Sequence, residues 1–334
     1  MKIIVDAYGG DNAPLAVLKG AAAAVAAYGH TVVLTGNEAE LRRLMAENGI
    51  PSDGIELVDA PDVIQMEDHP KSILREHKDC SMATGLRMLA EGQGDAFVSA
   101  GSTGALLMGG TFIVKRIKGV SRPALAPVVP TQGEPLLLLD SGANADCRPE
   151  MLLQFAKMGS IYASHAFGKT VPRVGLLNIG TEDTKGGELQ QAAFALLRES
   201  GLNFVGNIEA RDVPAGVVDV LVADGFSGNV LLKTMEGTSD MLLKSIKAAF
   251  TSSLRAKLGA LLVLPAVKGL KKKMSTSEYG GAVLLGVQKP VIKAHGNADE
   301  KAIASAIRVA AECAAAEVPA QIAAAVAATA EEAE

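Results

Sequence analysis

Tryptophan is absent from the 334 residues and aromatics make up only 4% of them, which excludes a core built on large flat rings. The interior must come from Ala, Val, Leu and Ile, and such aliphatic runs suit buried parallel strands covered by helices. Only three cysteines occur, Cys80, Cys147 and Cys313, with no CxxC spacing and no even framework. That excludes a disulfide scaffold and points to reduced thiols. Positive charge is not in excess: the formal net charge is -5, which argues against nucleic acid as a partner, because phosphate-backbone binding needs a basic surface. No run of about 18 apolar residues is present, so nothing is expected to span a bilayer. The opening MKIIVDA is too short an apolar stretch for a secretory signal. The expected location is cytoplasmic.

What is present is an alternation of strands and helices. Aliphatic strands are expected at Lys2–Ala7, Thr31–Thr35, Ile55–Val58, Asp95–Ala100, Ala124–Val129, Leu136–Asp140, Val174–Ile179, Asn203–Gly206 and Val218–Ala223. Between them, helices are expected from Leu15 to Tyr28, through Glu38–Asn48, from the GSTG segment to near Lys118, and at Pro149–His165, Glu188–Ser200 and Gly228–Phe250. This order implies βαβ units and a mostly parallel sheet. With right-handed crossovers, all the strand C-termini are expected on one edge, where ligands bind in open α/β sheets. Glycines cluster after the strands, at Gly9-Gly10, Gly101 with Gly104, Gly142, Gly180 with Gly186-Gly187, Gly225 with Gly228, and Gly296. The set is expected to form an anion-binding edge.

Particular segments carry the chemistry. In VSAGSTGALLMGG, Gly101 and Gly104 flank Ser102 and Thr103 where a strand runs into a helix, a place suited to an anion or to simple N-capping. It matches neither GxxxxGK[ST] nor GxGxxG. The loop after Val174–Ile179 offers Asn178, Gly180 and Lys185, the lysine as a cationic anchor. VADGFSGN offers Asp224, Gly225 and Asn229. LLLLDSGANAD offers Asp140, which either orients a basic side chain or caps a turn, with Asn144. His295 precedes Gly296 after another strand and is a candidate proton donor. Lys71, Arg75 and Lys78 are spaced to share a helical face. Leu254–Met274 holds a ten-residue apolar run, Leu258 to Val267, followed by Lys268 and Lys271–Lys273. The alanine-rich tail, Ala302 to Ala330, is expected to be helical.

Together VDAYGGDNAP, HPKSILREHKDCSM, SAGSTGALL, LLDSGANADCRPE, GLLNIGTEDTKGGEL, VGNIEARD, DGFSGNVLLKT, SEYGGAVLLG and VIKAHG closely resemble the phosphate acyltransferase (PlsX) family of bacterial phospholipid synthesis. The resemblance implies a Rossmann-like three-layer αβα fold with a mostly parallel sheet and a helical amphipathic protrusion. It implies one acyltransferase domain over 1–334, with an insertion at about 250–278. It further implies transfer of a long-chain acyl group from acyl carrier protein to inorganic phosphate, by a homodimer. Departures from the family pattern are Tyr8 for a methionine, Ser102 for an asparagine, Ser141 in DSGAN, and Gly187.

Phosphate is already ionised at neutral pH, so the reaction needs positioning and oxyanion donors rather than a strong base. Lys185, Asn229 and His295 are the expected catalytic residues. Gly9, Gly10, Asp11, Gly101, Ser102, Thr103, Gly104, Asp140, Asn144, Asn178, Gly180, Asp224 and Gly225 are the expected substrate-binding set. No cofactor is expected and no metal cluster is visible. Leu258, Leu261, Leu262, Leu264, Lys268, Lys271, Lys272 and Lys273 are expected to meet a membrane surface or acyl carrier protein. That would make the protein peripherally membrane-associated and place it beside a downstream glycerol-3-phosphate acyltransferase. The alternatives are a phosphotransacetylase, a nicotinamide-dependent dehydrogenase of similar sheet architecture, and a non-catalytic membrane scaffold.

Overall fold

The computed structural model describes residues 1–253, 255–257, 259–260, 263, 266–267, 269 and 279–331. Eleven strands form one sheet: β1 (Lys2–Asp6), β2 (Thr31–Gly36), β3 (Ile55–Asp59), β4 (Ala96–Ser99), β5 (Ala124–Val129), β6 (Leu136–Leu139), β7 (Val174–Asn178), β8 (Phe204–Glu209), β9 (Val220–Val222), β10 (Ala282–Leu285) and β11 (Val291–Lys293). Their order across the sheet is β3-β2-β1-β4-β11-β10-β5-β6-β9-β7-β8. The helices are α1 (Leu15–Tyr28), α2 (Glu38–Glu47), α3 (Ser81–Ala90), α4 (Thr103–Gly109), α5 (Pro149–Phe167), α6 (Glu188–Arg198), α7 (Gly225–Thr251), α8 (Glu300–Ala315) and α9 (Val318–Glu331). Short 3-10 turns lie at Pro70–Leu74 and Ala210–Ala215, and a π-helical turn at Gly110–Lys115 continues α4.

Strand alternation sends side chains to opposite faces, and both faces are covered. Ile3, Val5, Val32, Leu34, Val98 and Ile292 pack with buried residues of α1, α2, α5, α6, α8 and α9. Ile4, Val33, Phe97, Leu284 and Val291 pack under α3 and α4. Leu136, Leu138 and Leu221 face Leu231, Leu232 and Met235 of α7. The fold is therefore the expected three-layer αβα sandwich with a mostly parallel sheet.

The sheet corrects one expectation about direction. β1, β2, β3, β4 and β11 run parallel, and so do β6, β7, β8 and β9. Between the two sets, β10 pairs antiparallel with both β11 and β5, and β5 antiparallel with β6. These three reversals turn the second set against the first. The strand C-termini therefore fall on two opposite edges, not one. The segment around Lys71, Arg75 and Lys78 also departs from a continuous helix: Pro70–Leu74 is a 3-10 turn, and α3 starts only at Ser81. The three basic residues share no helical face.

No single helix among the described residues is long and apolar enough to cross a membrane. The bent pair α8–α9 passes by composition alone, but Ile303, Ala306, Ile307, Ala310, Val318 and Ile322 are buried in the core. The apolar run and lysines of the expected membrane contact (Leu258, Leu261, Leu262, Leu264, Lys268, Lys271, Lys272, Lys273) lie outside the described residues.

Candidate active site

At the first edge, the loops after β1, β4 and β11 interlock. A Cβ on Gly9 would stand 2.6 Å from the Gly101 nitrogen and 2.8 Å from a carboxylate oxygen of Asp6, closer than real Cβ contacts, so only glycine fits. Gly10 has φ +98°, where a side chain is strained, and faces the Gly296 carbonyl. The Asp11 amide donates to that carbonyl at 2.7 Å, and Asn12 Nδ2 donates to the Asn297 carbonyl at 3.1 Å. Beneath the loops, buried Asp6 accepts from Ser81 Oγ at 2.6 Å, Ser99 Oγ at 2.7 Å and the Tyr8 amide at 3.2 Å. Burial raises its pKa, while these donors and the charge of Lys293 pull the other way. Ser102 is the N-cap of α4, its Oγ accepting from the Ala105 amide at 3.4 Å. Thr103 and Gly104 are half-buried beside it.

His295 and Lys293 complete this edge. His295 Nε2 lies 3.6 Å from Glu236 Oε1, and Lys233 Nζ lies 2.8 Å from Glu236 Oε2. The contact with His295 is the main reason the Glu236 carboxyl sits below its ordinary pKa. Lys293 is 8% exposed, and burial depresses its ammonium to about 8. Sequence reasoning missed both Glu236 and Lys293. The signal for Lys293 was a lysine closing an aliphatic strand, VIK, just before a glycine loop. Glu236 is one charge among several on a long helix and carries no comparable signal in the sequence.

At the second edge, Asp140 is fully buried. Its Oδ1 accepts from the amides of Leu125, Ser141 and Ala143 at 2.9, 2.8 and 3.3 Å. Its Oδ2 accepts from the Asn144 amide and Nδ2 at 2.6 and 3.1 Å. Asp140 is thus a turn cap rather than a partner for a basic side chain. Asp224 caps α7, accepting from the Ser227 amide and hydroxyl, each at 2.8 Å. Asn178 is spent locally: its Oδ1 accepts from the Ile179 amide at 2.8 Å and its Nδ2 donates to the Lys185 carbonyl at 3.1 Å. Lys185 is exposed, with Nζ 3.8 Å from Glu182, and Gly180 lies against its stem. Asn229 is exposed beside Gly142, and its amide has no hydrogen-bond partner among the described residues.

The expected site residues therefore form two groups. Gly9, Gly10, Asp11, Gly101, Ser102, Thr103, Gly104 and His295 come together on the first edge. Asp140, Asn144, Asn178, Gly180, Lys185, Asp224, Gly225 and Asn229 gather on the second. α7 links the groups, starting against Asp140 and Asn144 and reaching His295 three turns later. No His, Cys, Asp or Glu group suited to a metal occurs among the described residues. Burial pushes the thiols of Cys80 and Cys147 up to about 11, which disfavours a thiolate nucleophile.

Residues 1–321 match the family model described as "Fatty acid synthesis protein". Curated relatives named phosphate acyltransferase include one from Bacillus pumilus, 50% identical over 310 residues that cover 92% of each chain. Another, from Clostridium acetobutylicum, is 46% identical over 314 residues, 94% of this chain and 95% of its own. The chain belongs to the phosphate acyltransferase family. It is an acyltransferase of fatty acid and phospholipid synthesis. Among solved structures, the EutD phosphotransacetylase of Staphylococcus aureus matches with a TM-score of 0.61 at 18% identity, covering 94% of both chains. A branched-chain phosphotransacylase from Enterococcus faecalis gives 0.58 at 14%, covering 94% of this chain and 99% of its own. At these identities the likeness shows the shared fold.

Proposed function

We propose that this acyltransferase moves a long-chain acyl group from acyl carrier protein to inorganic phosphate, releasing acyl phosphate for phospholipid synthesis. The relatives' name supports phosphate as the acceptor. The observation that carries the reading is the convergence of Gly9–Asp11, Gly101–Thr103 and His295–Gly296 on one edge over a buried lysine. There a phosphate oxygen attacks the thioester carbonyl, a tetrahedral oxyanion forms, the C–S bond breaks and the carrier thiolate leaves. Positioning supplies most of the acceleration. The Thr103 hydroxyl, uncommitted on this edge, is the available oxyanion donor; Asn178 and Asn229 lie on the other edge. His295, held by Glu236, protonates the thiolate. A thiol with pKa near about 8.5 leaves tolerably without help, so this contribution is small.

Two further parts of the reading concern partners. The protein is a homodimer, supported by the exposed apolar residues of α7. It also binds a membrane surface through the 258–273 segment, where ten apolar residues precede a lysine cluster, as in interfacial anchors. This hands the product to a membrane glycerol-3-phosphate acyltransferase.

The test is to mix the protein with acyl carrier protein thioester, with and without phosphate. Thioester loss and acyl phosphate should appear only with phosphate. Thr103→Val should slow that loss about 100-fold while circular dichroism stays unchanged; Lys185→Ala tests the other edge, and if it abolishes the loss the reaction belongs there instead.

A further inference from the structure

We propose that Lys293 is the cation that receives the phosphate oxyanion, from beneath the loops that follow β1, β4 and β11. This deepens the function proposed above and rests on it for the identity of the anion. The lysine stands where a lysine is expensive. Burying an ammonium costs several kcal/mol unless it is paired, yet no carboxylate lies within 4.0 Å of its Nζ among the described residues. Its partners are two backbone carbonyls: Nζ donates to Ala100 at 3.1 Å and also to Ala294. An ammonium has three N–H donors, so one remains unspent. The two carbonyls belong to the residues that begin the Gly101–Ser102 and His295–Gly296 loops, so the lysine also ties these loops together.

The charges around it do not supply a counter-ion. Asp6 on β1 is engaged with Ser81, Ser99 and the Tyr8 amide. Asp11, in the loop after β1, attracts Lys293 only at long range, and Lys233 on α7 repels it. Glu236 on α7 is committed to Lys233 and His295. The result is a buried, incompletely satisfied cation tied to the carbonyls that open two of these glycine loops. An incoming anion would satisfy the remaining donor and the charge at once.

The experiment uses the whole protein and inorganic phosphate alone, by calorimetric titration at pH 7. Lys293→Met should weaken phosphate binding at least 10-fold, and Lys293→Arg should retain binding within a few-fold. In turnover, Lys293→Met should raise the KM for phosphate at least 10-fold and leave the KM for acyl carrier protein unchanged. A purely structural lysine would not split the two. A folded Lys293→Met protein with unchanged phosphate affinity overturns the proposal.

Wild-type protein gives an independent check should the Met variant fail to fold. Sulfate keeps its two charges from pH 7 to 9, so its affinity reports on the protein. The Lys293 charge is present below about 8 and lost above, so affinity should fall as pH rises through that region. It should stay flat in Lys293→Arg, which carries the same Asp6, Asp11, Lys233, Glu236 and His295. A flat wild-type profile overturns the proposal. Phosphopantetheine presents the same oxyanion chemistry. If Lys293→Met loses that ligand and keeps inorganic phosphate, the proposal is also overturned. If phosphate binds through Lys293 yet thioester loss needs no phosphate, the proposed function fails and this site stands.

Discussion

At the scale of single residues, the second edge depends on an approach between backbones that only glycine permits. A Cβ on Gly228 would stand 1.9 Å from the carbonyl oxygen of Asp140, the residue whose carboxylate gathers five donors. Backbone cannot rotate away as a long side chain can, so Gly228→Ala must push α7 off the end of β6. Overpacking of this kind costs about 1–3 kcal/mol, and at about 2–4 °C per kcal/mol for larger domains the melting temperature should drop by roughly 3–10 °C. A melting curve superimposable on wild type would show that the contact relaxes freely. Asp140 and Lys293 also mark where the sequence stops being legible. An aspartate after a strand reads equally as a cap or a charge partner until its neighbours are placed. A lysine at a strand end reads as solvated until the strand is found in the middle of the sheet, with β4 on one side and β10 on the other.

At the scale of elements, α7 is the unusual member. Of its 27 residues only Gly225 and Gly228 are fully buried, while Phe226, Val230 and Met241 are at least half exposed. At 100° per residue these three fall within about 60° on the helix, an apolar stripe interrupted at Lys233 and Gly237 and of the kind that meets a partner. In the homodimer proposed above the stripe is covered. Met241→Glu, far along the helix from Asn229, should then convert the dimer to a monomer, read as a halved mass by sedimentation. Burying a methionine is worth about 1.5–3 kcal/mol, and a buried unpaired carboxylate costs more. An unchanged mass would remove the stripe from the interface. Most elements were readable because each has its own period and punctuation. The reversal of the sheet was not read, although one signal was available: β5 and β6 are joined by six residues, 130–135, while a parallel crossover needs a dozen or more. β10, four residues between glycines, was too short to announce itself.

At the scale of the whole molecule, charge decides where the protein goes. The chain carries a net charge of -5, so both an anionic membrane and an acidic carrier protein meet repulsion on average. Lys268 and Lys271–Lys273 are a local exception, directly following an apolar run of ten residues. Near an anionic surface each lysine contributes about 1 kcal/mol, and the effect decays over about 10 Å at 0.1 M salt. Replacing Lys271, Lys272 and Lys273 by Gln should therefore cost roughly 3 kcal/mol, on the order of 100-fold in partition onto vesicles of anionic lipid at low salt. Neutral vesicles should show little difference, because there only the apolar run contributes. Calorimetric phosphate binding, which reads the Lys293 edge, should be untouched. Cosedimentation with the two kinds of vesicle reads both effects. Equal loss on neutral and anionic lipid would mean that the substitutions disturb the segment's structure. No loss on either would leave the membrane role to other parts of the protein, and the salt dependence of carrier-protein binding would then be the measurement that assigns these lysines.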